Sequence, residues 1–209
     1  MRQQILKNQK VAILLETEYI PAEIEHYQKV FAEYGAQVDL LTYLWGERKR
    51  ILVSDVTSPD TLPQVMSVEA EIAHANPNDY AIVLVAANYV ACRLREISPM
   101  GSLGGPDQLR TPAAVQFIMK AMENPNIIKG ALCHGLWLWT ACPEKLAHRK
   151  VICHTVVLAD VMNAGGHFVA DPSHVVVDED LVTGRSVADL EAYTQAIIDT
   201  YINRRTNHV

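Results

Sequence analysis

The sequence has no apolar run long enough to cross a bilayer, no pair of cysteines at the spacing of a zinc site and no surplus of basic residues. Its opening, MRQQILKNQKVAILLETE, carries some basic residues and then an apolar run of only about five, too short for the core of a signal peptide. A soluble, cytoplasmic protein is the expectation. Against 24 acidic residues stand 18 Lys and Arg, a formal net charge of −6, which leaves no electrostatic footprint for gripping nucleic acid or acidic lipid. The expected partner is a small molecule or another protein. Internal repeats, low-complexity tracts and linkers long enough to divide domains are missing too. What remains is 209 residues, 49% of them hydrophobic, enough to bury a sizeable core and read most simply as one α/β domain over 1–209.

The four cysteines, Cys92, Cys133, Cys142 and Cys153, are spaced 41, 9 and 11 residues apart, which matches no metal-binding pattern. A reducing compartment argues against a disulfide framework. Neither a metal nor another cofactor is therefore expected. Cys142 in TACPEK and Cys153 in the apolar VIC read as structural, and Cys92 as exposed or interfacial.

Periodicity supplies the elements. KVAILL (10–15) is a near-continuous apolar run, as in a strand buried on both faces. From 22 to 34 the spacing turns helical, with Ile24, Tyr27, Val30, Phe31 and Tyr34 on one side and Gly35 as the stop, and 37–43 reads as a second strand. The pattern continues with a helix over 69–75, a strand over 80–86, a helix over 112–123 and a strand over 128–132. A helix over 135–141, a short strand over 151–154 and a helical turn over 157–163 follow, then a hairpin of 174–178 and 181–183 and a closing helix over 188–204. Such alternation predicts a mostly parallel sheet covered by helices on both faces. The irregular stretch 88–107, with two prolines and three glycines, is expected to be a functional loop leaving the carboxyl end of a central strand.

IIKGALCHGLWLW (127–139) places Cys133 on the turn between a strand and a helix, with Gly130, Ala131 and Gly135 as the small neighbours that a sharp, strained turn requires. This is the geometry of a nucleophile elbow. At the amino end of a helix the dipole and free N–H groups favour a thiolate, so the thiol is expected to fall below its ordinary range, and the same amides can hold an oxyanion. A buried, inert thiol is the alternative reading of the residues alone.

ALCHG resembles the elbow of the DJ/ThiJ/PfpI superfamily. GGPDQLRTPAAV, DVMNAGGHFV and VVVDEDLVTGRSVADL resemble segments of its PfpI-like branch, so that the likeness covers nearly the whole chain. The resemblance implies a flavodoxin-like three-layer sandwich, shared with class I glutamine amidotransferases. It also implies a glutamate on the first β-α connection in contact with the sulfur; an ungapped count gives Glu23, with Glu25 as fallback and Glu16 and Glu18 less favoured. It further implies a Cys-His-Asp triad in which His134 follows the cysteine and Asp107 comes from a neighbouring subunit. His154 is a second candidate partner of the thiol. Asn88, His134 and Gly135 would supply oxyanion or substrate-binding amides, while His167 and His174 read as surface residues.

The chain departs from the superfamily in having Ala86-Ala87-Asn88 where a Pro-Gly-Gly turn is common, and in its longer following loop. Members resembling this chain act as glyoxalases or deglycases, cysteine peptidases, isocyanide hydratases or redox-sensing chaperones. The first reading implied is a cofactor-independent enzyme on a small reactive carbonyl. The second is a peptidase or amidohydrolase, and the third a redox-sensing stress protein. A homodimer or larger homo-oligomer is implied as well.

Overall fold

The computed structural model describes residues 4–56 and 60–206. In chain order the elements are β1 (Lys10–Leu14), α1 (Pro21–Glu33), β2 (Gln37–Thr42), β3 (Arg50–Val53), β4 (Val65–Val68), β5 (Ala70–Glu71), β6 (Ile82–Val85), α2 (Val90–Arg93), α3 (Ala113–Glu123) and β7 (Ile128–Leu132). There follow α4 (Pro143–Leu146), β8 (Lys150–Val151), α5 (Thr155–Asn163), β9 (His167–Phe168), β10 (Val175–Asp178), β11 (Leu181–Gly184) and α6 (Leu190–Thr206), with 3-10 turns between several of them.

Seven strands form the main sheet in the order β10-β11-β7-β6-β1-β2-β5, parallel except for β10, which pairs antiparallel with β11. Residues 11–14 of β1 and all of β6 and β7 are buried, because helices cover both faces of the centre. The helix α1 opens on Pro21, whose fixed φ suits a first turn, and is stopped by Gly35 at φ +90°, a conformation a side chain would strain. On one face α1 meets α6 through the rings of Tyr27 and Tyr193, 6.4 Å apart. The fold is the mixed, mostly parallel α/β sandwich expected of the sequence. Among the described residues no helix is long and apolar enough to cross a membrane.

Several elements differ from their sequence pattern. The helix expected over 69–75 is a short edge strand, β5, and a 3-10 turn (Ile72–His74), because the Glu71 carboxylate takes the N–H of Leu44 and Ala73 and ties the segment to the sheet edge. Residues 135–141 form 3-10 turns instead of an α-helix. The strand expected over 151–154 shrinks to β8, which pairs with β9 outside the main sheet. The stretch 88–107 is not wholly irregular, since α2 lies within it. The hairpin of β3 and β4 has no counterpart in the sequence reading.

Topology sets the position of the site. Connections from β1 run toward β2 and those from β6 toward β7, so the chain order reverses between β1 and β6, and a crevice opens at their carboxyl ends. Leu14 is in register with Val85, and Val85 with Ala131. The residues that follow β6 and β7, and the start of α1 beyond β1, are thereby gathered at one end of the sheet.

Candidate active site

Cys133 follows the last residue of β7 and takes φ +59°, a left-handed conformation that costs a non-glycine residue about 1 kcal/mol or more. Two backbone bonds hold it there: its N–H donates to Gly184 O at 2.9 Å, and its carbonyl accepts from the His154 N–H at 3.1 Å. Gly135 permits the turn, because a Cβ there would lie 3.2 Å from both the Ala131 Cβ and the Val85 carbonyl oxygen. We expect Gly135→Ala to lose about 1–3 kcal/mol of stability in urea unfolding by forcing the elbow off the sheet. An unchanged midpoint would show that the turn has room to move.

Cys133 is 8% exposed, and its Sγ lies 3.1 Å from Nδ1 of His134. Backbone N–H groups of Asn88 and His134 also reach the sulfur and favour the thiolate, but burial outweighs them and pushes the thiol up to about 11, helped by the nearby Glu23 carboxyl. The lowered thiol expected from a helix dipole is therefore not found. The residues after the elbow form 3-10 turns that supply one close amide, and desolvation of a nearly closed site is the larger effect.

His134 is pushed down to about 4 by its own burial and by the adjoining His154. Its ring is stacked on Tyr89 (centroids 5.5 Å, 21° between planes) and lies 5.3 Å from Trp137 and 4.9 Å from His154. At neutral pH it is an uncharged imidazole with one ring nitrogen against a protonated thiol, the arrangement of a base waiting for a proton.

Glu23 sits in the first turn of α1 with no exposed surface, and both of its oxygens lie 3.0 Å from the Ala87 N–H. Burial raises its carboxyl to about 8, against the lowering effect of that N–H and of Tyr27, so it is protonated at neutral pH. The other acidic residues of this region turn elsewhere: Glu25 is exposed, buried Glu16 pairs with Arg50, and Glu18 pairs with Arg93 at 3.0 Å. Two successive amides therefore serve two groups, Ala87 the carboxyl and Asn88 the sulfur. Asn88 holds φ +62° by donating its side-chain amide to Glu18 O at 2.9 Å, and asparagine tolerates that conformation better than most residues.

The remaining expected residues lie further out. His154 uses Nδ1 to accept the Val156 N–H at 3.2 Å, capping α5, and meets the site through its ring against His134 instead of by contact with the sulfur. Asp107 is exposed on the 3-10 turn Pro106–Gln108 and makes no contact with His134 within the chain. It lines a groove of about 960 Å³ with Tyr89, Arg93, Arg95, Arg110 and Thr140, and Tyr89 joins that groove to the elbow. Cys92 is half-buried in the same wall.

Cys142 and Cys153 are buried, each thiol raised to about 12 chiefly by burial. His167 is exposed, and His174 pairs with Asp189 at 3.1 Å. Among the described residues no group of three or more His, Cys, Asp or Glu is arranged to hold a metal ion. Trp137, which the sequence offers as a helix-packing or pocket-wall residue, stands beside His134, whereas Tyr89 was not evident, since only the fold brings it to His134 and to Trp137, 48 residues away in the chain. Adjacency of Tyr89 to Asn88 was the one available signal.

Residues 99–200 match the DJ-1/PfpI family. General stress protein 18 of Bacillus subtilis is 25% identical over 186 residues, covering 89% of this chain and 94% of that protein. Among solved structures, DJ-1 of Schizosaccharomyces pombe shares the fold at a TM-score of 0.68 and 16% identity, over 95% of this chain and 97% of that one. A two-domain protein from Anabaena variabilis, with DJ-1/ThiJ/PfpI-like and ferritin-like domains, aligns at a TM-score of 0.74 and 22% identity over 91% of this chain; the chain spans 47% of that protein's length.

Proposed function

This chain belongs to the DJ-1/PfpI family, and from that premise we propose that it is a cysteine-dependent enzyme acting on a small reactive carbonyl compound, with Cys133 as the nucleophile. The observation that carries this reading is the 3.1 Å approach of the Cys133 sulfur to the His134 ring nitrogen at a residue held in a strained left-handed conformation. The sulfur attacks the aldehyde carbon of an α-oxoaldehyde, and the thiol proton passes to His134 as the S–C bond forms. The carbonyl electron pair moves onto oxygen, which the N–H groups of Asn88 and His134 are near enough to receive. Return of the proton gives the hemithioacetal. Glu23, resting protonated and buried, gives its proton to the neighbouring carbonyl oxygen and takes the carbon-bound proton as the carboxylate so formed. It then delivers that proton to the neighbouring carbon and regains its own from the hydroxyl of the first carbon, which leaves a thioester. Water then releases a 2-hydroxy acid and restores the thiol. The net reaction adds one water.

The test is an assay of the protein with methylglyoxal, a fluorogenic peptide and an isocyanide, with lactate followed as the product of the first. Lactate formation supports the carbonyl reading; turnover of none of the three sinks it. Because His134 is a base whenever it is uncharged, kcat/KM should hold until the pH falls toward about 4, where an ordinary histidine near 6.5 would already have failed. A lower limb centred near 6.5 would remove His134 from this role.

Peptide cleavage without lactate would favour the second reading, an amidohydrolase proceeding through a thioester on Cys133. The same sulfur–imidazole contact serves it, with Asp107 orienting His134 from a second copy of the chain. That reading requires a homo-oligomer, and a monomer by sedimentation would exclude it.

A further inference from the structure

At the opposite end of the sheet from Cys133, where β1, β6 and β7 begin, lies a cleft of about 580 Å³ with no part in the chemistry above. Its floor includes Tyr201 and Arg204 from the last turns of α6, and its rim carries the amides of Asn78, Asn124 and Asn126. Tyr201 is 4% exposed, and its hydroxyl has no hydrogen-bond partner; the Nε of Arg204 is likewise buried and unpartnered. Arg205 stands over the Tyr201 ring, 5.0 Å from its centroid. Neither arginine has a carboxylate within ion-pair distance among the described residues.

Cations in the last turn of a helix offset its dipole, and that suffices to explain two arginines here. It does not explain buried donors that face a cleft without an acceptor, since such groups cost free energy unless something accepts from them. The cations nearby are already satisfied: buried Lys129 and half-buried Arg149 both pair with Asp180, and Arg149 also pairs with Asp178 at 2.5 Å. The spare positive charge therefore belongs to Arg204 and Arg205. One carboxylate, Asp79, lines the cleft, and with the asparagine amides it offers acceptors as well as donors.

We propose that this cleft binds a small hydroxylated anion, its phosphate-type oxyanion taken by Arg204, Arg205 and the Tyr201 hydroxyl and its hydroxyl groups by Asp79 and the amide rim. An oxyanion satisfies the orphan donors and a guanidinium binds it with charge-assisted hydrogen bonds, while hydroxyl donors turn the Asp79 carboxylate from a repulsive neighbour into an acceptor. The site is independent of the reading given to Cys133.

Thermal shift and calorimetric titration with glycerol 3-phosphate, inorganic phosphate and glycerol, at matched ionic strength, test it. Both phosphates should bind saturably, glycerol 3-phosphate the tighter, and glycerol should not bind. Arg204→Gln should weaken glycerol 3-phosphate by about tenfold or more and Tyr201→Phe severalfold, with circular dichroism and unliganded melting confirming that each variant is folded. Cys133→Ser should bind like the parent. No saturable binding, a response equal to that of added salt, or equal affinity in the parent and the two cleft variants would overturn the proposal. Inorganic phosphate binding as tightly as its glycerol ester would overturn the hydroxyl assignment.

Discussion

Turnover of the carbonyl substrate should fall by about three orders of magnitude or more in a Cys133→Ser variant, with its melting temperature little changed. The reason lies in the pairing of two neutral groups. The thiol sits at about 11 and its imidazole partner at about 4, so the resting site is thiol and imidazole, and in the mechanism proposed above proton transfer accompanies attack on the carbon. Sulfur tolerates this because it is strongly nucleophilic even when little ionised. A serine hydroxyl is a far weaker acid, and an imidazole held at about 4 is too poor a base to activate it. The backbone bonds to Gly184 and His154 that hold the elbow do not involve the side chain, so the fold has no reason to change. A serine variant retaining more than about a tenth of parental kcat/KM would end the nucleophile assignment.

Glu23→Gln, by contrast, should raise stability at high pH. The carboxyl is raised from 4.5 to about 8 in the folded chain, so between those values the unfolded chain has lost the proton that the native state keeps. The unfolded state binds fewer protons there, and stability falls as the pH rises. By pH 8 and above the loss attributable to this one group reaches at most roughly 5 kcal/mol. Glutamine has no proton to lose, and its side-chain oxygen still accepts the Ala87 N–H. The variant should therefore be the more stable protein at pH 8, with the gain shrinking toward zero near pH 4.5, while its carbonyl turnover drops. Urea unfolding at pH 5, 6.5 and 8 measures this. Parallel stability curves for parent and variant would mean that Glu23 titrates as an ordinary carboxyl.

How far the chain could be read without its structure varies from element to element. The continuous apolar KVAIL and IVLV segments announce central parallel strands because a strand covered on both faces has no polar side to show. The helical spacing through α1, closed by Gly35, is equally plain. The family resemblance, counted without gaps from the KVAILL strand to Gly35, implies Glu23, which lies fully buried with its carboxyl on the Ala87 N–H. The hairpin of β3 and β4 escaped notice because its strands are four residues long and expose much of their surface, so periodicity has little to act on. The segment 69–75 has helical composition, yet it is drawn to the edge of β2 by a few hydrogen bonds between residues distant in sequence.

The sequence by itself determined the central strands β1, β6 and β7, the helix α1, the sharp turn at Cys133 and the small residues that permit it. These follow from local sterics and from the burial each stretch demands. Only the tertiary structure decided the protonation of the site. Whether Cys133, His134 and Glu23 rest charged or neutral depends on how completely water is excluded by Ala87, Tyr89, Trp137 and His154, which come from separate parts of the chain. Desolvation is a sum over all neighbours in space, and no short stretch of sequence contains it.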